Sequence, residues 1–185
     1  MKRLLLILFI MLASVAGCGP WQTTGGLYTS SWNNFTVELP EGWVRENRND
    51  YIHMTRDGFP LQSIYIGRTR VDEFELKYTK KKLTKGMLPQ EVAEVLLDNM
   101  ASNPAMNNLE VKENKPTKIS GKRAAKIIVL YKNKDGLKLK TISYRLVMDE
   151  WLYTISYTAP LRYYFDRDVK AFEKIVTHFQ LLGTA

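Results

Sequence analysis

The first third of the chain alternates apolar and polar residues as β-strands do. Phe35, Val37 and Leu39 alternate with polar residues, so their side chains share one face of a predicted strand. Residues 51–56 and 61–70 have further strand patterns and flank a turn that contains Gly and Pro. The pattern therefore predicts a single strand followed by a β-hairpin.

Two segments have helical periodicity instead. A first helix is predicted from Pro89 to the Asn103-Pro104 pair, and a second after Pro160, because apolar residues recur there about every 3.6 positions. The first stripe consists of Val92, Val95, Leu96 and Met100, and the second of Phe165, Val169, Phe172, Val176 and Phe179.

Between the helices the strand pattern returns four times. Residues 109–114, 123–131, 137–148 and 151–157 are joined by short polar segments typical of turns, which predicts an antiparallel meander. The chain thus has a group of strands, a helix, a second group of strands and a second helix. This order indicates an α+β domain whose helices pack on an antiparallel sheet.

The N-terminus has the pattern of an export signal. Lys2 and Arg3 precede the uncharged apolar run of residues 4–12, and the apolar stretch ends near Ala16, short of the roughly 20 residues that span a bilayer. A signal peptide over residues 1–17 is therefore favoured over a transmembrane helix.

Val15-Ala16-Gly17-Cys18 resembles the lipobox of bacterial lipoproteins. The resemblance implies cleavage between Gly17 and Cys18 and acylation of Cys18 with fatty acids such as palmitate, which would anchor the protein to a membrane. The alternative is an ordinary signal peptide with an incidental cysteine. Cys18 is the only cysteine, so an intramolecular disulfide is impossible, and lipidation explains an otherwise unused exported thiol.

The rest of the chain predicts a tether and one domain. Residues 19–31 are small, polar and glycine-bearing, so residues 18–31 are interpreted as the lipidated cysteine and a flexible tether of at most about 45 Å. Residues 32–185 are predicted to form a single domain.

The charge balance suits an anionic partner. Without Lys2 and Arg3 the chain has 25 basic and 19 acidic side chains, which favours anionic lipid, lipopolysaccharide or an acidic protein. Export argues against nucleic acid as a partner. A lysine-rich soluble surface is the simpler alternative.

The order of these elements is similar to that of the PsbP/Mog1-like fold over residues 33–182. The resemblance implies an α/β/α sandwich and, since members of this group include bacterial lipoproteins, photosystem accessory subunits and a small-GTPase partner, a binding or assembly module without catalytic residues. It is carried by Phe35-x-Val37-x-Leu39-Pro40-x-Gly42-Trp43, by Ile119-Ser120-Gly121-Lys122-Arg123-Ala124 and by Phe172-Glu173-Lys174-Ile175-x-x-x-Phe179.

Catalytic and metal-binding motifs are absent from the sequence. It has no HExxH, CxxC, Gly-rich phosphate loop or Gly-x-Ser-x-Gly elbow, and structural roles suit both His53 and His178. No enzyme, cofactor or metal is therefore expected. The alternative is an envelope hydrolase that acts on a cell-wall or glycan substrate through carboxylates, although such clusters are typically solvated turns. The candidate carboxylates are Asp72-Glu73-x-Glu75, Asp149-Glu150 and Asp166-x-Asp168.

Aromatic residues crowd the junction between the last strand and the last helix. They predict a groove for a protein partner or a small amphipathic ligand, and the alternative is that they fill the edge of the core. The residues are Tyr153, Tyr157, Tyr163, Tyr164 and Phe165.

A lysine-rich segment separates the hairpin from the first helix. Five like charges within nine residues repel one another, so an exposed loop is predicted that either only connects the elements or contacts an anionic membrane surface. The lysines are Lys77, Lys80, Lys81, Lys82 and Lys85.

These patterns together predict a lipid-anchored, non-catalytic binding or assembly module of the bacterial cell envelope. Gly19 follows Cys18, whereas lipoproteins kept in the inner membrane of many Gram-negative bacteria resemble one another in having Asp at that position. In a Gram-negative host this favours the outer membrane, with the domain in the periplasm.

Overall fold

The computed structural model describes residues 20–183. The predicted signal peptide, its predicted cleavage site and Cys18 lie outside these residues. The described part has eleven strands and two α-helices, and all strand pairs are antiparallel. Neither α-helix has the length and apolar composition of a membrane-spanning segment.

Eight strands form a large sheet and three form a small one. The order in the large sheet is β1-β4-β5-β6-β10-β9-β8-β7, and in the small sheet β11-β3-β2. The strands are β1 Trp21–Thr23, β2 Gly26–Ser30, β3 Phe35–Leu39, β4 Val44–Glu46, β5 Tyr51–Thr55, β6 Ser63–Arg70, β7 Asn107–Ile119, β8 Lys122–Lys132, β9 Lys138–Met148, β10 Trp151–Pro160 and β11 Gln180–Leu181. The helices are α1 Pro89–Ala101 and α2 Tyr164–His178.

The main core lies between the inner face of the large sheet and a layer made of α2 and the small sheet. Because side chains alternate along a strand, Ile155 and Tyr157 of β10 share the inner face, where they lie opposite Ile66 and Ile64 of β6. Phe172 of α2 packs on this face and is fully buried. The alternating apolar residues of the strands and the apolar stripe of helix α2 are therefore packed against each other in this core.

The outer face of the large sheet is covered over part of its width. Helix α1 packs on β7, β8 and β9. The segment 71–88 covers the beginning of β10, where Leu76 and Leu83 pack with Val92, Leu96 and Leu152. The result is the predicted α+β sandwich, with a small sheet that the sequence analysis did not anticipate.

The prediction of a flexible tether over residues 19–31 is wrong for residues 21–30. Strand β1 pairs with β4 and strand β2 pairs with β3. Thr24, between the two strands, donates two further hydrogen bonds: its N–H donates to the Trp43 carbonyl at 2.9 Å and its hydroxyl to the Pro40 carbonyl at 2.5 Å. Short edge strands need backbone hydrogen bonds rather than apolar alternation, so their composition resembles that of a linker.

The small sheet joins distant parts of the chain. Strand β3 lies between β2 and β11, with Thr36 opposite Gln180. The Asn34 side-chain amide donates to the Leu182 carbonyl at 3.1 Å. The C-terminal residues therefore complete a sheet whose other strands lie near the N-terminus.

Candidate functional site

The aromatic cluster at the end of β10 is mainly core. Tyr153, Tyr157 and Phe165 are 2%, 0% and 2% exposed, and the Tyr157 hydroxyl donates to the Tyr164 carbonyl at 2.8 Å. The prediction that they line an open groove is wrong, and the core-edge alternative is right, because β10 directs these positions to the inner face. Burial raises the pKa of Tyr157.

The other two members of the cluster lie at the surface. Tyr163 is exposed and Tyr164 is half-buried. Their rings flank the Arg167 guanidinium, whose central carbon lies 5.3 Å and 5.1 Å from the two ring centroids. They contribute to an ionic network rather than to a groove.

A groove between sheet and helix does occur elsewhere. It lies between the β2–β3 edge of the small sheet and α2, and has a volume of about 480 Å³. Its lining includes Gly26, Leu39, Pro40, Lys170, Ala171 and Lys174.

Asp168 is the one buried carboxylate of the candidate clusters within residues 20–183. It accepts hydrogen bonds from Arg56 at 3.1 Å, Gln62 at 3.2 Å and Arg167 at 3.0 Å. Gln62 also donates to Asp57 at 3.0 Å, and hydrogen bonds from Gln62 and then Arg167 lower the pKa of Asp57. The network fastens the β5–β6 turn to the first turn of α2.

The other carboxylate clusters are paired with basic side chains at the surface. Asp72 and Glu150 both contact Arg70, at 3.0 Å and 2.8 Å. Among residues 20–183 no three His, Cys, Asp or Glu side chains come together in a way that could hold a metal ion.

The five lysines of the segment 71–88 are exposed, as predicted. Two of them form ion pairs, Lys81 with Asp98 and Lys85 with Glu150. Since Leu76 and Leu83 of the same segment are buried, the lysines project from a segment that is packed against the sheet.

The outer face of the large sheet carries a surface that the sequence pattern alone does not predict. Over β4, β5 and β6 neither α1 nor the segment 71–88 covers this face, and its side chains are polar or aromatic. We call this surface the open face and define it as Trp21, Glu46, Tyr51, His53, Phe59, Tyr65 and Arg145.

Aromatic rings form a continuous row across the open face. Phe59 stacks on His53 with ring centroids 4.0 Å apart, and Trp21 lies 5.4 Å from Phe59. Tyr51 and Tyr65 are 5.4 Å apart. The Trp21 side chain is about half exposed, so the row offers apolar area to solvent at the sheet edge.

Glu46 connects two of these rings. Its carboxylate lies 3.1 Å from His53 Nδ1 and accepts a 3.1 Å hydrogen bond from the Tyr51 hydroxyl. Loss of solvent and then the bond to Glu46 raise the pKa of Tyr51. The carboxylate thereby orients both rings on the sheet.

Gly67 allows the two tyrosines to lie close to the strand. A Cβ atom at this position would lie 2.9 Å from the Tyr65 hydroxyl oxygen and 3.1 Å from the Tyr51 Cβ. The first distance is shorter than real Cβ contacts and the second is tighter than most of them, so a side chain here would displace the Tyr65 ring. A glycine inside a strand often marks such a close approach.

Arg145 lies where the covered and open parts of the outer face meet. Its backbone is opposite Thr154 of β10, its Nη1 donates to the Thr154 hydroxyl, and its Nε is buried without an acceptor. No carboxylate of residues 20–183 pairs with it, so burial lowers its pKa to about 10. An uncompensated guanidinium of this kind can bind a carboxylate or a phosphate group in bidentate geometry.

One sequence signal could have revealed the open face. In β5 and β6 the positions between the core residues hold Tyr51, His53, Tyr65 and Gly67, where a solvated strand face would carry charged or small polar side chains. Aromatic residues are enriched in the cores of protein interfaces relative to the rest of the surface.

Comparisons with known proteins identify the fold. The sequence matches no protein-family model and no curated protein. The solution structure of the cyanobacterial PsbP (CyanoP) from Synechocystis sp. PCC 6803 is similar, with a TM-score of 0.58 at 13% identity over 90% of this chain and 95% of that chain.

Two further structures are similar over nearly their whole length. The Ran-binding protein Mog1p of Saccharomyces cerevisiae has a TM-score of 0.57 at 10% identity, over 87% of this chain and 97% of that chain. LpqN of Mycobacterium tuberculosis, which is involved in cell envelope biogenesis, has a TM-score of 0.56 at 12% identity, over 89% and 93%. The chain therefore has the PsbP/Mog1-like fold that its sequence predicts.

Proposed function

We propose that this protein is a lipid-anchored lipoprotein of the bacterial envelope whose domain binds a protein partner at the open face and catalyses no reaction. The observation that carries the proposal is the combination, on one uncovered sheet face, of the aromatic row and the unpaired Arg145 guanidinium. Aromatic and arginine side chains are the types that dominate the binding energy of protein interfaces.

The location rests on the N-terminal sequence. The export signal and Cys18 support attachment to a membrane, and Gly19 supports the outer membrane in a Gram-negative host. LpqN, an envelope-biogenesis protein, and Mog1p, a Ran-binding protein, have the same fold. Their roles support a binding role in the envelope.

The chemistry of the open face suggests which kinds of side chain the partner carries at the interface. Trp21 and Phe59 suit apolar side chains, while Arg145 suits an acidic side chain or a C-terminal carboxylate. The Arg145 side chain is half-buried and no carboxylate of residues 20–183 pairs with it, so a bound carboxylate would compensate a charge that the domain leaves unpaired. Hydrogen bonds to charged groups contribute about 1.5–3 kcal/mol, equivalent to roughly 10- to 100-fold in affinity.

Site-specific photocrosslinking in cells tests the partner site. A photoreactive amino acid at Tyr65 should give a discrete protein adduct, and Arg145→Gln should reduce its yield at least about 10-fold. A photoreactive residue at Tyr163, an exposed tyrosine outside the open face, is the matched control and should give none.

Two results would count against the proposal. Equal adducts from both tyrosine positions, or an Arg145→Gln variant that folds normally and keeps the adduct, would remove the open face as the site. An adduct with the mass of a lipid or other small molecule would replace the protein partner by an amphipathic ligand.

For the anchor, Cys18→Ser should abolish acylation and leave uncleaved precursor.

A further inference from the structure

The domain begins almost directly after the proposed lipid anchor. Strand β1 starts at Trp21, opposite Glu46, and the Asn47 N–H donates to the Pro20 carbonyl at 3.0 Å. Pro20 is therefore fixed to the large sheet. Gly19 alone separates it from Cys18, and two residue steps span at most about 7 Å.

Three segments meet at the end of the domain where Pro20 lies. We call this the exit end and define it as Pro20, the turn 31–34 and the turn 47–50. The Asn33 side-chain amide donates to the Asn49 carbonyl at 3.2 Å, which joins the two turns. The acylated terminus would thus emerge from a fixed position on a defined surface.

The most exposed tryptophan of residues 20–183 lies at the exit end. Trp32 is 71% exposed, and its carbonyl accepts a 2.6 Å hydrogen bond from Arg68 Nη2. The Arg68 guanidinium also stacks on Trp151, 4.0 Å from the ring centroid. The backbone of Trp32 is therefore held in place while its indole ring points into solvent.

An exposed indole near an acyl anchor is suited to a bilayer interface. Trp is enriched at the level of the lipid headgroups because its ring is apolar and its N–H is polar. The exposed Arg48 guanidinium at the same end is paired with Asp50 at 2.7 Å, so the indole ring rather than a free basic charge supports contact with the bilayer. A bilayer is also the one partner that acylation of Cys18 would bring within reach of this surface at all times.

We propose that the exit end docks on the bilayer that holds the lipid anchor, with the Trp32 ring in the headgroup region. This inference rests on the proposed acylation of Cys18. The domain then has one orientation relative to the membrane instead of moving freely on a tether. Strands β1 and β5 start directly after Pro20 and the turn 47–50, so the open face begins beside the docked end and extends away from the bilayer.

Fluorescence quenching in vesicles tests the docking. The full-length acylated protein is purified from bacterial membranes, its acylation is verified by mass spectrometry, and it is reconstituted in phosphatidylcholine–phosphatidylglycerol vesicles with a headgroup-proximal nitroxide lipid. In a Trp21→Phe background, which removes the half-exposed tryptophan beside Pro20, we expect the nitroxide to quench the tryptophan fluorescence, and Trp32→Phe to remove most of that quenching. Trp43→Phe, which changes a buried ring, is the matched control and should leave the quenching unchanged.

A spacer supplies a second, independent variable. Insertion of about twelve Gly and Ser residues between Gly19 and Pro20, roughly 20 Å as a coil, should reduce the quenching of Trp32 because the anchor no longer holds the domain against the bilayer. Acylated protein whose Trp32 is not quenched would overturn the docking and leave the anchor proposal intact. A chain that carries no acyl group would overturn both.

Discussion

The buried carboxylate of Asp168 offers the sharpest test of how the final helix is held on the sheet. Replacement by alanine removes the acceptor for Arg56, Gln62 and Arg167. Because these side chains come from the β5–β6 hairpin and from α2, the substitution should loosen the contact between hairpin and helix without changing the apolar core.

The structure bounds the size of this effect. Removal of one member of a buried ion pair costs about 3–5 kcal/mol when the partner charge stays buried. The Arg56 side chain is half exposed, so water can replace the lost contact, and Gln62 keeps its bond to Asp57. We therefore expect a loss near the lower limit, about 3 kcal/mol, or roughly 6–12 °C in the midpoint of thermal unfolding for a domain of this size.

Thermal and denaturant unfolding of the purified protein measure this loss. Asp166→Ala is the matched control, because Asp166 has the same side chain, lies two residues before Asp168 in α2 and is exposed. Its loss should be limited to the helix-dipole contribution of about 0.3–1 kcal/mol. Equal destabilisation by the two substitutions would refute the assignment of Asp168 as a buried fastening group.

Three other predictions follow from the structure. Phe172→Ala, at a fully buried position, should cost about 3–5 kcal/mol in denaturant unfolding, and a loss below about 1 kcal/mol would contradict its place in the core. The pKa of Asp57 is lowered in the folded protein, so ionised Asp57 contributes its full stabilisation above the ordinary pKa of an aspartate, and this contribution is lost as the pH falls below that value. The midpoint of thermal unfolding, measured between about pH 5 and pH 2, should therefore depend less on pH in Asp57→Asn than in the unchanged protein. Joint replacement of Lys80, Lys81 and Lys82 by Glu should abolish weak, salt-sensitive binding to anionic vesicles, and unchanged binding would reduce the segment to a solvated connection.

The long, strongly patterned elements could be predicted from the sequence. Strand β10 and helix α2 follow from periodicity because the alternating positions Tyr153, Ile155 and Tyr157 and the apolar stripe of α2 all face the main core. The strands β1, β4 and β11 could not be predicted, since they have two or three residues and depend on backbone partners distant in sequence, as Gln180 depends on Thr36. These short strands are therefore stabilised by contacts with residues distant in sequence, which their own local sequence does not show.

The candidate site was harder to predict than the fold. The sequence shows that Tyr153 and Tyr157 lie near Phe165 along the chain, but only the sheet order shows that all three point into the core. The unpaired state of Arg145 likewise depends on which carboxylates the fold brings near it. The exposure of the lysines could be predicted because a run of like charges cannot be buried without several oppositely charged partners.

The position of β3 between β2 and β11 has a consequence for the timing of folding. Synthesis proceeds from the N-terminus, so β2 and β3 exist long before Gln180 and Leu181 can pair with β3. A pairing of such high sequence separation is slow to form. One edge of β3 therefore stays open until Gln180 and Leu181 have been made, and a chain that lacks these two residues should retain an unpaired strand edge and be degraded more readily by proteases.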